Sequence, residues 1–261
     1  METPFLDYDH IASEYNQRYP SLQPTPRGQA LLDIAKQARA RNILEVGSGT
    51  GVWLNMLHPV TTGLYGLDYS MGMIAQARKQ SAPLKLSRGS AICLPYQNNT
   101  FELVYCVDAI HHFSDHRAFV KEAFRALKPG GALTVIGFDP HEGTTRWYIY
   151  DYFDGVYDTD LRRYPSGTSL LNWLSAEGFQ NVSARTAERI LNVHVGESVL
   201  KDPFLKHNST SQLALLDPDS YQAGIARIIA AVAEAKARNE RIVFRSDIHV
   251  KMYLGYKPVA G

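Results

Sequence analysis

The stretch ILEVGSGTG, residues 43–51, joins a short apolar run to three glycines at alternate positions. The apolar run at 42–46 predicts a buried strand, and residues 51–57 carry apolar side chains at helical spacing. Gly47, Gly49 and Gly51 are therefore expected in a turn from strand to helix. A ligand can lie against such a turn because no Cβ intervenes and because glycine adopts positive φ.

On both sides of this turn, strand-like and helix-like segments alternate over the first two-thirds of the chain. Further strands are predicted at residues 62–67, 84–88, 101–107 and 132–138. The residues expected to cap the helices are Thr25, Ser70 and Ser114. The last of these helices is expected to stop at Lys128-Pro129-Gly130-Gly131. This alternation predicts right-handed βαβ units and a doubly wound, parallel α/β sheet.

The last third of the chain is less regular. Residues 139–165 are crowded with aromatic side chains, and residues 191–216 are expected to be irregular or weakly helical. Helices are predicted at about 168–177, ending before Gly178, and from Asp217-Pro218 to about Arg238. Strands are predicted at 179–187 and 247–256. In the second of these, apolar and polar residues alternate, which predicts a half-buried antiparallel strand.

Two acidic residues accompany the glycine turn. Asp68 ends the second strand in YGLDYS, where a carboxylate can accept hydrogen bonds from both hydroxyls of a ribose. Glu45 ends the first strand and can face a ligand's ammonium group. The amides of the turn and the following helix N-terminus can hold an anionic group, which in S-adenosylmethionine (SAM) is the methionyl carboxylate. A dinucleotide fingerprint requires G-x-G-x-x-G, whereas this chain has Val52 at the last position, so the spacing favours SAM over NAD.

Together these motifs resemble the type 11 branch of the class I SAM-dependent methyltransferases. ILEVGSGTG resembles that family's first motif, and YGLDYS its acidic motif. Further similar stretches, in the family's order, are GSAICLPY at 89–96, FELVYCVDAIHHF at 101–113 and EAFRALKPGG at 122–131. The similarity spans about residues 40–138. The motifs together are specific for the family, whereas none of them is specific alone.

The resemblance implies a Rossmann-like sheet of seven strands whose last strand is antiparallel. It implies a single methyltransferase domain over residues 1–261, with a SAM-binding core at about 25–138. Helical and aromatic cap segments on the substrate side are expected at 1–24, 139–165 and 191–240. The implied function is methyl transfer from SAM to a small-molecule acceptor by in-line displacement, with S-adenosylhomocysteine as the product and no metal.

The resemblance also implies which residues bind SAM. Ser90 stands where the family commonly has an acid, so the adenine contact is expected from Ser90 or from the backbone of Ala91 or Ile92. The full set of expected cofactor residues is Tyr15, Glu45, Gly47, Ser48, Gly49, Gly51, Asp68, Tyr69, Met73, Ser90, Ala91, Ile92, Val107 and Asp108.

Catalytic and substrate residues are harder to assign because the sulfonium itself supplies the electrophile. His111 and His112 follow the fourth strand and are candidates for a general base, with a structural or cofactor-lining role as the alternative. Candidate substrate residues are Tyr8, Tyr19, His112, Trp147 and Tyr150, although aromatic side chains at helical spacing more often form a core. Arg162 and Arg163 can pair with a substrate carboxylate, but a solvated face is the preferred interpretation.

The amino-acid composition limits the classes of partner that this chain is expected to bind. The chain has 27 Lys and Arg against 26 Asp and Glu, so it lacks the basic excess typical of nucleic-acid binding. Its two cysteines show no CxxC pair and no metal-ligand spacing, which predicts reduced thiols. The N-terminus lacks the pattern of a signal peptide, and the most apolar helical stretch, 225–233, is too short to span a bilayer. We therefore expect a cytoplasmic protein without a membrane partner, either monomer or homodimer.

Some acceptor classes are disfavoured. The fourth strand ends Cys106-Val107-Asp108-Ala109, so the D/N-P-P-Y/F motif of amino-group DNA methyltransferases is absent, as is a Pro-Cys nucleophile. A small molecule remains as the acceptor, with O, N or C methylation left open. Two other functions compete: a regulatory or partner-binding protein that holds SAM without methyl transfer, and an NAD-linked oxidoreductase.

Overall fold

The computed structural model describes Tyr8, Asp9, Ala12 and residues 25–259. Within this part of the chain, a sheet of eight strands has the order β3-β2-β1-β4-β5-β8-β6, and β7 pairs with β8. The strands are β1 (Asn42–Val46), β2 (Gly63–Asp68), β3 (Lys85–Arg88), β4 (Phe101–Val107), β5 (Leu127–Phe138), β6 (Arg146–Trp147), β7 (Gln180–Val195) and β8 (Val243–Tyr256).

Helices separate most of these strands along the chain. They are α1 (Pro26–Gln37), α2 (Val52–Leu57), α3 (Met71–Ala77), α4 (His116–Ala126), α5 (Ile149–Tyr152), α6 (Val156–Arg163), α7 (Gly167–Glu177), α8 (Ser211–Ala214) and α9 (Pro218–Ala237). The described helices include none with both the length and the apolar character needed to cross a membrane.

The pairing of the strands confirms the predicted sheet. β1 pairs in parallel with β2 and β4, β2 with β3, and β4 with β5, whereas β8 is antiparallel to β5. The strands β1 and β4 are buried along nearly their whole length, as expected where helices cover a parallel sheet. The carboxyl ends of these central strands meet at one edge, where ligands of α/β folds bind.

Two features of the sheet differ from the sequence-based expectation. The two-residue strand β6 pairs with β8 and adds an eighth strand, which is too short to leave a periodic pattern. Strand β7 continues to Val195, so the prediction that residues 191–195 are irregular was wrong. Leu191, Val193 and Val195 are exposed and alternate with less exposed residues, which is the period of a strand.

The chain divides into two compact units. The sheet unit contains the described residues up to Asp139 together with Pro165–Glu188 and the chain from Val250 onward, and its core includes Leu44, Val104 and Phe119. The aromatic unit contains Pro140–Tyr164 and Arg189–His249, and its core includes Trp147, Phe153 and Phe244. Strands β7 and β8 contribute residues to both units. The extent of a single domain over residues 1–261 stays a prediction.

The boundaries of α4 also correct two expectations. Asp115, and not Ser114, is the N-cap, and its carboxylate accepts a hydrogen bond from the Ala118 amide at 2.9 Å. A carboxylate at this position also interacts favourably with the helix dipole. The helix ends at Ala126, and the Lys128-Pro129-Gly130-Gly131 stretch that was expected to end it lies inside β5. The register between β4 and β5 shifts there, which accommodates the proline and the glycines.

The cap of α4 offers a test with a built-in control. We expect Asp115→Ala to lower the free energy of unfolding by about 1 kcal/mol, because the Ala118 amide loses its acceptor. Ser114→Ala removes a neighbouring polar side chain that does not cap the helix, and we expect a change within about 0.5 kcal/mol. Urea unfolding followed by circular dichroism measures both. Equal losses in the two variants would contradict the assignment of the cap.

Candidate functional site

The glycine turn lies at the carboxyl end of β1 and has the backbone conformation that its sequence predicts. Gly47, Gly49 and Gly51 have φ of 73°, 51° and 74°, in the left-handed region. A Cβ on Gly47 would lie 2.5 Å from the Cβ of Ala109, so this glycine is required for packing against the segment after β4. A Cβ on Gly49 would meet no atom of the described residues within 4 Å. The turn is therefore closely packed at Gly47 and open at Gly49.

Asp68 ties this turn to the end of β2. One carboxylate oxygen accepts a hydrogen bond from the Gly49 amide at 2.7 Å, and the other accepts one from the Ser70 amide at 2.9 Å. The Gly47 and Ser48 amides donate to the Leu67 carbonyl at 2.8 and 3.0 Å. Burial raises the pKa of Asp68, and these backbone amides oppose the rise. Each carboxylate oxygen retains a lone pair with which it can accept a further hydrogen bond.

Glu45 is a second acid next to the turn, and it is buried. Only 1% of its surface is exposed, and the Tyr105 hydroxyl donates a hydrogen bond to its Oε2 at 3.1 Å. Its Oε1 and the Ser48 hydroxyl have no hydrogen-bond partner within the described residues. Burial raises the pKa of Glu45 well above its usual range, the negative charge of Asp68 adds to the rise, and the Tyr105 hydrogen bond opposes it.

These features test whether the residues present fit SAM. The buried Glu45 and the half-buried Asp68 repel one another, so a cationic ligand stabilises them, and SAM carries an ammonium and a sulfonium group. The unpartnered Oε1 of Glu45 and the open side of Gly49 provide an acceptor and room for such a ligand. The residues fit: Asp68 can hold the ribose hydroxyls and Glu45 the ammonium group.

Two residues near the N-terminus lie at the same edge of the sheet. The Tyr8 hydroxyl and His112 Nε2 are 2.6 Å apart, and the two rings form an edge-to-face pair. The Asp9 carboxylate accepts hydrogen bonds from the Ser70 hydroxyl at 2.5 Å and from the Gly72 amide at 2.7 Å. Tyr8 and Asp9 therefore contact the segments that follow β4 and β2. Tyr15 and Tyr19, the other tyrosines predicted for a cap, lie outside the described residues.

The segment after β4 brings both candidate histidines to this edge. His111 and His112 belong to a 3₁₀ helix, Ile110–His112, with His111 buried and the ring centroids 4.0 Å apart. Asp108, just before it, has φ of 48°, a conformation that costs a non-glycine residue energy and that clusters at functional sites.

Arg27 lies at the edge of the site and was not predicted from the sequence. Its Nη1 donates to the Asp108 carboxylate at 2.6 Å, and its Nε pairs with Glu188 of β7. Arg27 lies in α1, far from Asp108 in sequence, and no motif marks it. Asp108 is thus held in an ion pair, and its predicted contact with SAM stays a prediction.

The remaining predicted cofactor residues occupy different environments. Met73 and Val107 are buried, whereas Tyr69 is 62% exposed with the Arg88 guanidinium over its ring. In the adenine segment the Ser90 hydroxyl accepts a weak hydrogen bond from the Ile92 amide at 3.5 Å. Ala91 is buried and the Ile92 side chain is exposed. The structure gives the positions of these residues, and their contacts with SAM stay predictions.

The candidate substrate residues Trp147 and Tyr150 lie in the aromatic unit. Trp147 is buried, and its ring packs edge-to-face against Tyr150 at 5.5 Å. The Tyr150 hydroxyl donates to Asp160 at 2.7 Å. Arg162 is exposed, as expected for a solvated face. Arg163 is 1% exposed, so the preferred interpretation of its position was wrong.

The sheet order and the glycine turn are those of a Rossmann-like, doubly wound α/β fold of the kind found in class I methyltransferases. Comparison with known proteins agrees. Residues 44–135 match the family described as a methyltransferase domain. Over 116 residues the chain is 30% identical to a probable S-adenosylmethionine-dependent methyltransferase of Mycolicibacterium smegmatis, which covers 42% of this chain and 45% of that protein. It is 24% identical over 199 residues to the demethylmenaquinone methyltransferase of Renibacterium salmoninarum, covering 68% and 84%.

A solved structure extends the likeness to most of the fold. A protein of Anabaena variabilis, described as a methyltransferase from an antibiotic biosynthesis pathway, aligns with a TM-score of 0.67 at 21% identity, covering 87% of this chain and 95% of that one. The match to the Mycolicibacterium protein spans less than half of that relative's length. Residues 44–135, about a third of the chain, match the methyltransferase domain, and over part of its length the chain is similar to a probable SAM-dependent methyltransferase.

The raised pKa of Glu45 predicts that SAM binding releases protons. A cationic ligand favours the ionised carboxylate, so binding lowers the pKa of Glu45 and a proton leaves. SAM affinity then increases as pH rises through the pKa of the free protein and levels off above it. We expect calorimetry in phosphate and Tris, whose ionisation enthalpies differ, to show this release.

Two variants complete the experiment. Glu45→Gln should abolish the proton release and weaken SAM binding by about 1.5–3 kcal/mol, because a charged acceptor is lost. Asp33→Asn removes one negative charge from an exposed position of α1 and should behave as the wild type. Unchanged proton release in Glu45→Gln would show that another group titrates.

Proposed function

We propose that this chain transfers the methyl group of bound SAM to a small organic acceptor. The observation that carries the proposal is the pair of carboxylates, the buried Glu45 and the half-buried Asp68, beside a turn that is open at Gly49. Bound SAM supplies an electrophilic methyl group on its sulfonium. The chain then has to position the acceptor in line with that methyl group and exclude water.

Each residue of the site has a distinct role in this proposal. Asp68 accepts hydrogen bonds from the ribose hydroxyls, while its existing bonds to the Gly49 and Ser70 amides keep its carboxylate in place. Glu45 neutralises the ammonium group, and its Tyr105 partner fixes the orientation of its carboxylate. Ser90 and the backbone that follows it contact the adenine.

The acceptor is proposed as a small molecule on two grounds. The net charge of +1 gives no excess with which to neutralise nucleic-acid phosphates. The relative from Renibacterium salmoninarum carries the name of a demethylmenaquinone methyltransferase, which acts on a small organic molecule. A cytoplasmic location is part of the same proposal.

The Tyr8–His112 pair supports proton removal from the acceptor. A hydroxyl or acidic carbon must lose a proton when it is methylated, and a histidine is the side chain best matched to that task near neutral pH. The 2.6 Å hydrogen bond allows the Tyr8 hydroxyl to fix the ring of His112. We assign His112 as the base, Tyr8 as its positioning partner, and His111 as a buried neighbour that packs against the His112 ring.

Transfer of label tests the proposed function. We expect tritium from methyl-labelled SAM to appear in a member of a small-molecule panel, and not in DNA, RNA or protein. The panel should include phenols, quinols and primary amines, which represent O, C and N acceptors. Binding of SAM without label in any acceptor, at conditions in which S-adenosylhomocysteine is removed, would favour a ligand-binding role.

The base is tested with the acceptor that this screen identifies. We expect His112→Ala to lower kcat by roughly 100-fold or more, the size typical of a positioned general base, with little change in the Kd for SAM. Tyr8→Phe retains the ring and loses the hydroxyl, so it should lower kcat less and shift the pH profile of kcat. The exposed His58 provides a control, since His58→Ala should leave both constants unchanged. A normal pH profile in Tyr8→Phe would remove Tyr8 from the mechanism.

A further inference from the structure

The aromatic unit contains a buried arginine whose donors are not matched. Arg163, at the end of α6, is 1% exposed, yet its Nε, Nη1 and Nη2 have no hydrogen-bond partner among the described residues. Its ion pair is with Asp160, whose Oδ1 lies 3.6 Å from Nη1, beyond a good hydrogen bond. A guanidinium carries five N–H donors and stays charged in proteins, so this environment is unusual.

Such a charge is costly to bury. Removing an ion from water costs several kcal/mol, and attraction to a partner offsets this only when the geometry and the surrounding hydrogen bonds are good. The 3.6 Å between Arg163 Nη1 and Asp160 Oδ1 is too long for a good hydrogen bond, and the guanidinium makes no other hydrogen bond among the described residues. An arginine in this position is therefore either a structural compromise or a group that acquires its partner when a ligand binds.

The hydrogen bonds of Asp160 are made with side chains other than Arg163. Its Oδ2 accepts a hydrogen bond from the Tyr150 hydroxyl at 2.7 Å. Its Oδ1, the oxygen nearer Arg163, makes no hydrogen bond among the described residues. Burial raises the pKa of Asp160 to about 6, despite the opposing effects of Tyr150, Arg163 and Gln212. Asp160 therefore leaves the hydrogen-bond donors of Arg163 unmatched.

Aromatic side chains lie close to Arg163 and to its neighbour Asp160. The Arg163 guanidinium lies 5.9 Å from the centroid of the Tyr164 ring, and the Gln212 amide donates to the Tyr164 hydroxyl at 3.0 Å. The Tyr150 ring contacts Trp147 and Tyr157, with centroids 5.5 and 5.0 Å away. A ligand here would therefore meet one positive charge beside aromatic surface.

We propose that Arg163 anchors a buried binding site for a small organic monocarboxylate. The planar guanidinium matches a carboxylate with two parallel hydrogen bonds, which a point charge cannot do. A single negative charge balances the guanidinium, whereas a phosphate dianion would leave excess negative charge beside Asp160. The aromatic rings favour a ligand whose body is an aryl or other apolar group.

Binding of this ligand is independent of the methyl-transfer proposal, since the anchoring residues lie in the aromatic unit and the measurement uses no SAM. The probe is sodium benzoate, with benzamide as a neutral molecule of similar shape and sodium chloride to match the ionic strength. The full chain is followed by thermal unfolding and by titration calorimetry.

Arg163→Met and its neighbour Arg162→Gln form the matched pair. We expect benzoate, and not benzamide, to raise the unfolding midpoint of the wild type and of Arg162→Gln, because Arg162 is exposed and bonded to Thr159. Arg163→Met should lose this shift, with benzoate affinity reduced by roughly 10- to 100-fold, as expected for a charged hydrogen-bonded pair. Without benzoate, Arg163→Met should unfold at the wild-type midpoint or above it, because an unmatched buried charge has been removed.

A second variant covers the case in which Arg163→Met does not fold. Arg163→Lys keeps the charge and loses the planar fork, so it should retain the fold and lose most of the benzoate shift. The proposal is overturned if benzoate and benzamide act alike on the wild type, or if benzoate stabilises the wild type and the Arg163 variants equally. Once binding is shown, incubation with labelled SAM separates the two sources of such a ligand: label in the carboxylate identifies a methyl acceptor, and binding without label identifies an effector.

Discussion

The hydrogen bond from the Gly49 amide to the Asp68 carboxylate, 2.7 Å long, joins the ends of two neighbouring parallel strands and fixes the shape of the site. The loop can form this bond only because glycines adopt left-handed conformations at its bends. Gly47 must also lack a side chain, since Ala109 of the segment after β4 lies directly against it. The ends of β1, β2 and β4 are thereby brought together around one turn.

This geometry concentrates negative charge where helices and strands exclude water. Glu45 and Asp68 each have a raised pKa because burial disfavours their charged forms. The negative charge of Asp68 adds to the rise at Glu45, and that of Asp9 adds to the rise at Asp68. Backbone amides of the turn and of Ser70 stabilise Asp68, whereas Glu45 accepts a hydrogen bond from the Tyr105 hydroxyl. A cationic ligand relieves this repulsion, so the same charges that reduce the stability of the free protein favour binding.

The sheet unit could be predicted from the sequence because its signals are local. The glycine turn, the acid at the end of β2 and the alternation of apolar runs each occupy a few consecutive residues, and the structure contains the corresponding strands in the expected order. The cap of α4 was misassigned by one residue because Ser114 and Asp115 are both good cap residues. The extension of β7 was missed because its apolar residues face outward.

The contacts that surround the site were not predictable in the same way. Arg27 with Asp108, and Tyr8 with His112, join residues that are distant in sequence and belong to no shared motif. The burial of Arg163 was not predictable either, because two adjacent arginines are typical of a solvated helix face. Such pairings depend on tertiary packing, which periodicity and spacing do not encode.

The central claim is that the open side of Gly49 receives SAM, and one comparison tests it most directly. Gly49 and Gly143 both have positive φ, 51° and 68°, and a Cβ on either would meet no atom within 4 Å in the part of the chain that the structure describes. Replacement by alanine therefore imposes a similar backbone cost, about 1–2 kcal/mol, at both positions. Calorimetric titration with SAM should show binding to the wild type and to Gly143→Ala, and strongly weakened binding to Gly49→Ala. Binding of SAM to Gly49→Ala with wild-type affinity would contradict the account.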